Sequence, residues 1–201
     1  MKYLNTLITL FVIGSMLGYI IEVLYKRFIS IKKWTNAGLM LGPYLPIYGF
    51  GTIILYGLSS VISSGLIVPK PLEVLVVIIT FFMLLTLLEF LTGLFLLKKF
   101  NLRLWDYSSR RLNVKGLICA RYSIYWTILG VSYYYLLHPL FMTLVNASLS
   151  SLIIRVVLSS ILVVIIIDTY NTFNISKKLS GIKVAINNQV NLIASYYSVA
   201  A

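Results

Sequence analysis

Acidic residues are scarce in this sequence: five Asp and Glu stand against 17 Lys and Arg, and charged residues of both signs fill only 11% of the 201 positions. A soluble domain usually carries about a quarter charged residues, so this chain cannot cover its surface with polar groups in water. With 60% hydrophobic residues, lipid resolves the difficulty, because apolar side chains can face outward there. One cysteine, Cys119, excludes an internal disulfide and a cysteine-based metal site. A single histidine, His138, excludes helix-borne zinc or haem pairs. No P-loop, HExxH or GxSxG pattern occurs. No resident metal or cofactor is therefore expected, and coupling to ATP would need a partner chain.

Long apolar runs are what the chain does have. Spanning the hydrocarbon takes about 20 residues in a helix, and five stretches qualify: Leu4–Leu24, Pro43–Ser63, Leu72–Leu97, Leu117–Leu140 and Leu152–Phe173. Backbone groups in lipid must pair within their own segment, which makes each run a helix. The expected fold is an all-α membrane bundle of about five transmembrane helices over residues 1–175. A tail at 176–201 follows, whose stretch Ile182–Ile193 reads equally as an amphipathic surface helix or a frayed end. The first run leads into basic residues with no small-residue cleavage site, so it reads as a retained helix.

The basic residues alternate by loop. Lys26, Arg27, Lys32 and Lys33 fill the first, Lys70 stands alone in the second, and Lys98, Lys99, Arg103, Arg110, Arg111 and Lys115 crowd the third. The fourth has none, and the tail has Lys177, Lys178 and Lys183. The positive-inside rule then puts the N-terminus outside and the C-terminus in the cytoplasm. It also accounts for the net charge of +12 without nucleic acid. Anionic lipid headgroups are the expected contact of these clusters.

Under this topology Glu73 lies at the outer end of the third helix, whereas Glu22, Glu89, Asp106 and Asp168 all lie on the cytoplasmic side. An ionised carboxylate in hydrocarbon costs several kcal/mol and usually faces a partner or a wet cavity. Glu22, Glu89 and Asp168 at similar depth suggest a shared polar vestibule; simple pairing with Lys26 or Arg121 is the alternative. Gly14, Gly18 and Glu22 at four-residue spacing share one helix face and would admit a neighbouring helix closely.

Two segments stand out. Asn36–Gly51 (NAGLMLGPYLPIYGFG) holds two prolines and four glycines. It reads as an irregular or re-entrant entry to the second helix, or as a kinked helix start. Asn101–Gly116 (NLRLWDYSSRRLNVKG) is basic and aromatic together, which places Trp105 and Tyr107 at headgroup level. Asp106 there would cap a turn or orient Arg110 or Arg111. His138, beside Pro139, reads as an interface residue near the outer end of the fourth helix.

The motifs GYIIEVLY (Gly18–Tyr25), NAGLMLGPYLPIYGFG (Asn36–Gly51), LEFLTG (Leu88–Gly93) and LWDYSSRRLNVKGLICARYSIYW (Leu104–Trp126) together resemble the ABC-transporter type IV permeases, small bacterial multi-pass membrane proteins. The resemblance runs from Gly14 to Pro139. It implies a transport permease of the cytoplasmic membrane, with an ATPase subunit or self-association as partner. The family's polar signature falls on Glu22, Asn36, Tyr48, Glu89, Trp105, Asp106, Tyr107 and Asn113, and its acid in the last helix on Asp168. Arg121 stands where the pattern has an apolar residue and would change the charge of a vestibule. Three functions follow as expectations: a transport component with an acid-lined vestibule open to the cytoplasm, a membrane enzyme acting on a lipid or lipid-linked substrate, and a structural or regulatory membrane subunit.

Overall fold

The structure is a computed structural model describing residues 1–65 and 69–174; the stretch 182–193 lies outside the described residues. Among the described residues five helices are long and apolar enough to cross a membrane: α1 (Lys2–Ser30), α2 (Pro46–Ser63), α3 (Lys70–Phe100), α4 (Ala120–Ser150) and α5 (Leu152–Asn174). The all-α membrane bundle read from the apolar runs is the fold of the protein.

Two boundaries differ from the hydropathy reading, each for a local reason. Pro139 does not end α4. The helix widens into a π turn at Tyr133–Leu137 and continues through His138–Ser150, since a widened turn accommodates a proline that cannot donate to the turn before it. His138 is therefore 4% exposed inside the bundle rather than at an interface, and only Ser151 separates α4 from α5. The second difference is the start of α2. Pro46 occupies its first turn and Leu45 before it is extended, as the residue preceding a proline tends to be.

The 31–45 connection is a re-entrant segment. The Leu45 amide donates to the Ser15 carbonyl at 2.9 Å, and Ser15 lies midway along α1, about 22 Å along the axis from Ser30. Tyr44 and Met40 are buried there with Val12 of α1 and Ile165 of α5. Small residues make the descent possible: a Cβ on Gly18 would collide with the Tyr48 ring, and one on Gly14 with Thr52.

The 101–119 connection also folds back. Asn101, left-handed at φ 51°, ends α3. A short antiparallel hairpin of β1 (Asn113–Val114) and β2 (Ile118–Cys119) then turns through Lys115 and Gly116, both at positive φ. Its base rests on Gly93, where an added Cβ would lie 3.2 Å from both Trp105 and Leu117.

The main core gathers Leu10, Leu55, Phe81, Tyr133 and Phe141 from α1 to α4. A buried Thr9–Ser148 hydrogen bond of 2.8 Å ties α1 to the last part of α4. On α5, Val156, Val163, Ile166 and Ile167 remain more than half exposed, an apolar face suited to lipid.

Candidate functional site

A tyrosine of α2 and one of the 101–119 connection reach the carboxylates of α1 and α3. From α2, the Tyr48 hydroxyl donates to Glu22 Oε2 on α1 at 3.0 Å. From the 101–119 connection, the Tyr107 hydroxyl donates to Glu89 Oε1 on α3 at 3.0 Å. Burial, then the Glu89 charge, pushes the Tyr107 phenol well above its usual range, so this hydroxyl keeps its proton and donates. Its ring stacks on Tyr122 of α4 at 4.3 Å, and the Tyr122 hydroxyl lies 3.0 Å from that of Tyr25 on α1. A polar circuit thus joins α1, α2, α3, α4 and the hairpin.

Inside the circuit lies a cavity of about 50 Å³ lined by Gly18, Tyr48, Leu88, Glu89, Trp126 and Tyr133 among others. By that measure it holds a few water-sized groups. Its walls are mostly apolar, yet among the described residues two that line it have a buried polar atom without a hydrogen-bond partner, Glu89 at Oε2 and Tyr133 at its hydroxyl. Glu89 is only 3% exposed. The Trp126 indole interacts with its carboxylate at a geometry too loose for a good hydrogen bond, and the Trp126 and Tyr48 rings stand 5.2 Å apart.

No cation neutralises these acids among the described residues, whose two ion pairs are Lys70–Glu73 and Arg103–Asp106, each 2.8 Å. Lys26 donates instead to the Asn36 and Ala37 carbonyls, and Arg121 is exposed at the start of α4. Glu73 also accepts from Tyr134 at 2.7 Å, at the far end of the bundle.

Asp168 stands apart from Glu22 and Glu89. Its Oδ2 accepts from the Leu41 and Gly42 amides at 3.0 and 3.1 Å and from the Tyr44 hydroxyl at 2.5 Å. Thr172 donates to Oδ1 at 3.2 Å. With this set of donors Asp168 fastens the re-entrant segment to α5. Burial and the Asp168 bond push the Tyr44 phenol up to about 12.

The remaining residues singled out in the sequence shape the two connections. Asn36 accepts from the Gly38 amide at 3.1 Å. Asn113 accepts from the Gly116 amide and donates to the Arg110 carbonyl, closing the hairpin. Asp106 accepts from the Ser108 hydroxyl and amide and pairs with Arg103, and the Ser108 bonds first, then Arg103, hold its carboxyl below the usual range. Trp105 donates to the Leu117 carbonyl at 2.8 Å. Trp105 and Tyr107 thus turn into the bundle, not toward headgroups.

Sequence reasoning passed over Tyr25, Tyr44 and Trp126, and reads Tyr133 only as part of the Tyr133–Tyr135 run that fits an outer aromatic belt. A signal existed for two of those passed over: Tyr25 follows Glu22 by three residues and Trp126 follows Tyr122 by four, so each pair shares a helix face.

Among the described residues no group of three or more His, Cys, Asp or Glu side chains is placed to hold a metal ion. What the cavity offers is one carboxylate oxygen, a phenol, aromatic faces and apolar walls, a set suited to holding a small polar or charged species. No curated protein and no solved structure matches the chain. Residues 9–173 match the family described as "Putative ABC-transporter type IV"; that span contains both carboxylates and both inward-folded connections, and the chain belongs to this family.

Proposed function

We propose that the protein is a transport component of the cytoplasmic membrane whose substrate or coupling ion engages the cavity lined by Glu89 from the cytoplasmic side. One observation carries the reading: Glu89 is buried in a membrane-spanning helix with one carboxylate oxygen unpartnered, on the wall of a cavity. Such a group is costly in a bilayer unless it serves a passing or bound species. The alternation of basic loops supports the orientation, since the clusters Lys26–Lys33 and Lys98–Lys115, in and beside the connections that close over the site, hold ten of the 17 Lys and Arg. Exposed Arg110, Arg111 and Lys115 of the 101–119 connection form the surface on which we place an ATPase subunit, since coupling to ATP would need a partner chain.

The test is genetic. A deletion strain is screened for altered uptake of, or sensitivity to, a panel of cationic compounds, then complemented with the wild-type chain or Glu89→Gln. Wild type restores the phenotype and Glu89→Gln does not, at equal abundance in the membrane. Full complementation by Glu89→Gln overturns the reading. A changed lipid profile with unchanged uptake would redirect it to a lipid-modifying enzyme.

A further inference from the structure

We infer that the cavity takes the ammonium group of a small organic amine, with Glu89 as its counter-ion. The inference rests on the proposed transport site but concerns ligand class, and binding alone tests it.

Three features select the ligand. The first is charge. Among the described residues neither Glu22 nor Glu89 is in an ion pair, and a buried carboxylate without a positive partner carries a desolvation cost that a bound cation offsets. The second is the kind of acceptor. Glu89, which lines the cavity, has an orphaned Oε2, and an ammonium brings N–H donors for it. Bare metal ions need a different environment: calcium takes about six to eight oxygens and magnesium a near-octahedral shell. Here the other walls are glycine, leucine, isoleucine, aromatic residues and Thr52, whose hydroxyl donates to the Tyr48 carbonyl.

The third feature is the aromatic wall. Tyr48 and Trp126, whose rings stand 5.2 Å apart and tilted by 46°, line the cavity together with Glu89. Aromatic faces attract organic cations, most strongly when water is excluded. A volume of about 50 Å³ admits a group of methylammonium size and excludes a bulky quaternary cation.

The experiment follows thermal unfolding of the purified full chain in detergent. Methylammonium chloride is titrated against NaCl, KCl and tetraethylammonium chloride at matched ionic strength. A ligand that binds only the folded state raises the melting temperature saturably. Methylammonium gives that rise and the other three salts do not. In Glu89→Gln the apparent affinity falls by at least about tenfold, while Glu73→Gln, at the far end of the bundle, keeps it. Should Glu89→Gln fail to fold, Leu88→Phe narrows the cavity from an apolar wall and also abolishes the rise. No rise in the wild type, an equal rise with sodium or potassium, or a rise preserved in Glu89→Gln overturns the inference. Lost complementation by Glu89→Gln without methylammonium binding overturns this inference alone. Binding together with full complementation by Glu89→Gln overturns the transport reading alone.

Discussion

Tyr107 lies outside the membrane-spanning helices, yet its hydroxyl donates to Glu89 Oε1, buried within α3, at 3.0 Å. The acid does not come to the surface; the surface loop comes to the acid. Gly93, one turn further along α3, makes room for the descent, because Trp105 and Leu117 occupy the space a side chain would fill.

This bond joins a neutral donor to a carboxylate, a type that contributes about 1.5–3 kcal/mol. Tyr107→Phe should destabilise the folded chain by an amount in that range while keeping the ring stacked on Tyr122. In a double-mutant cycle with Glu89→Gln the two effects should be non-additive, because the residues are in contact. Denaturant or thermal melts in detergent measure both quantities, and strict additivity would show that the bond is not formed.

Glycines in the bundle should separate cleanly by position. Gly18→Ala sets a methyl against the Tyr48 ring, whereas a Cβ on Gly57 meets nothing within 4 Å. Overpacking typically costs about 1–3 kcal/mol, and replacing a helical glycine by alanine gains about 1 kcal/mol where space is open. Gly18→Ala is therefore expected to lower the melting temperature and Gly57→Ala to raise it.

The Asp168–Tyr44 bond predicts an alkaline transition. Tyr44 is pushed up to about 12 in the folded chain, above the ordinary phenol value of about 10. A raised folded value means stability fully present below pH about 10 and lost as pH rises toward about 12, because the unfolded chain gives up the proton first. Tyr44→Phe should flatten that pH window in a series of thermal melts. Asp168→Asn should loosen the re-entrant segment, read as faster amide hydrogen exchange at Leu41 and Gly42.

Orientation is open to chemical labelling. The one native thiol, Cys119, is buried, so a Cys119→Ser background is silent. In right-side-out vesicles a membrane-impermeant maleimide should label Lys70→Cys and spare Arg111→Cys until the membrane is opened. The reverse pattern would invert the assigned topology.

The number of helices was legible because each span is a long apolar run, and hydropathy responds to little else. The passage of α4 through Pro139 was not, since a π turn at Tyr133–Leu137 leaves no hydropathy trace and proline alone reads as an end. The prolines and glycines of Asn36–Gly51 marked a broken entry to α2. Its depth was hidden, because depth is set by contacts between distant residues: Leu45 with Ser15, and Asp168 with Leu41 and Gly42. The candidate site was legible in part for the same reason. The rarity of acids drew attention to Glu22 and Glu89 one at a time. Their tyrosine partners lie 26 and 18 residues away, beyond the reach of any helical periodicity, and Asp168 looked equivalent to them until its donors were seen.

The re-entrant segment has a mechanical consequence. Leu45 is held to Ser15 of α1, and Leu41 and Gly42 to Asp168 of α5, so the 31–45 connection is clamped between two helices. A displacement of α5 against α1 therefore pulls on the first turn of α2, which carries Tyr48 and its bond to Glu22.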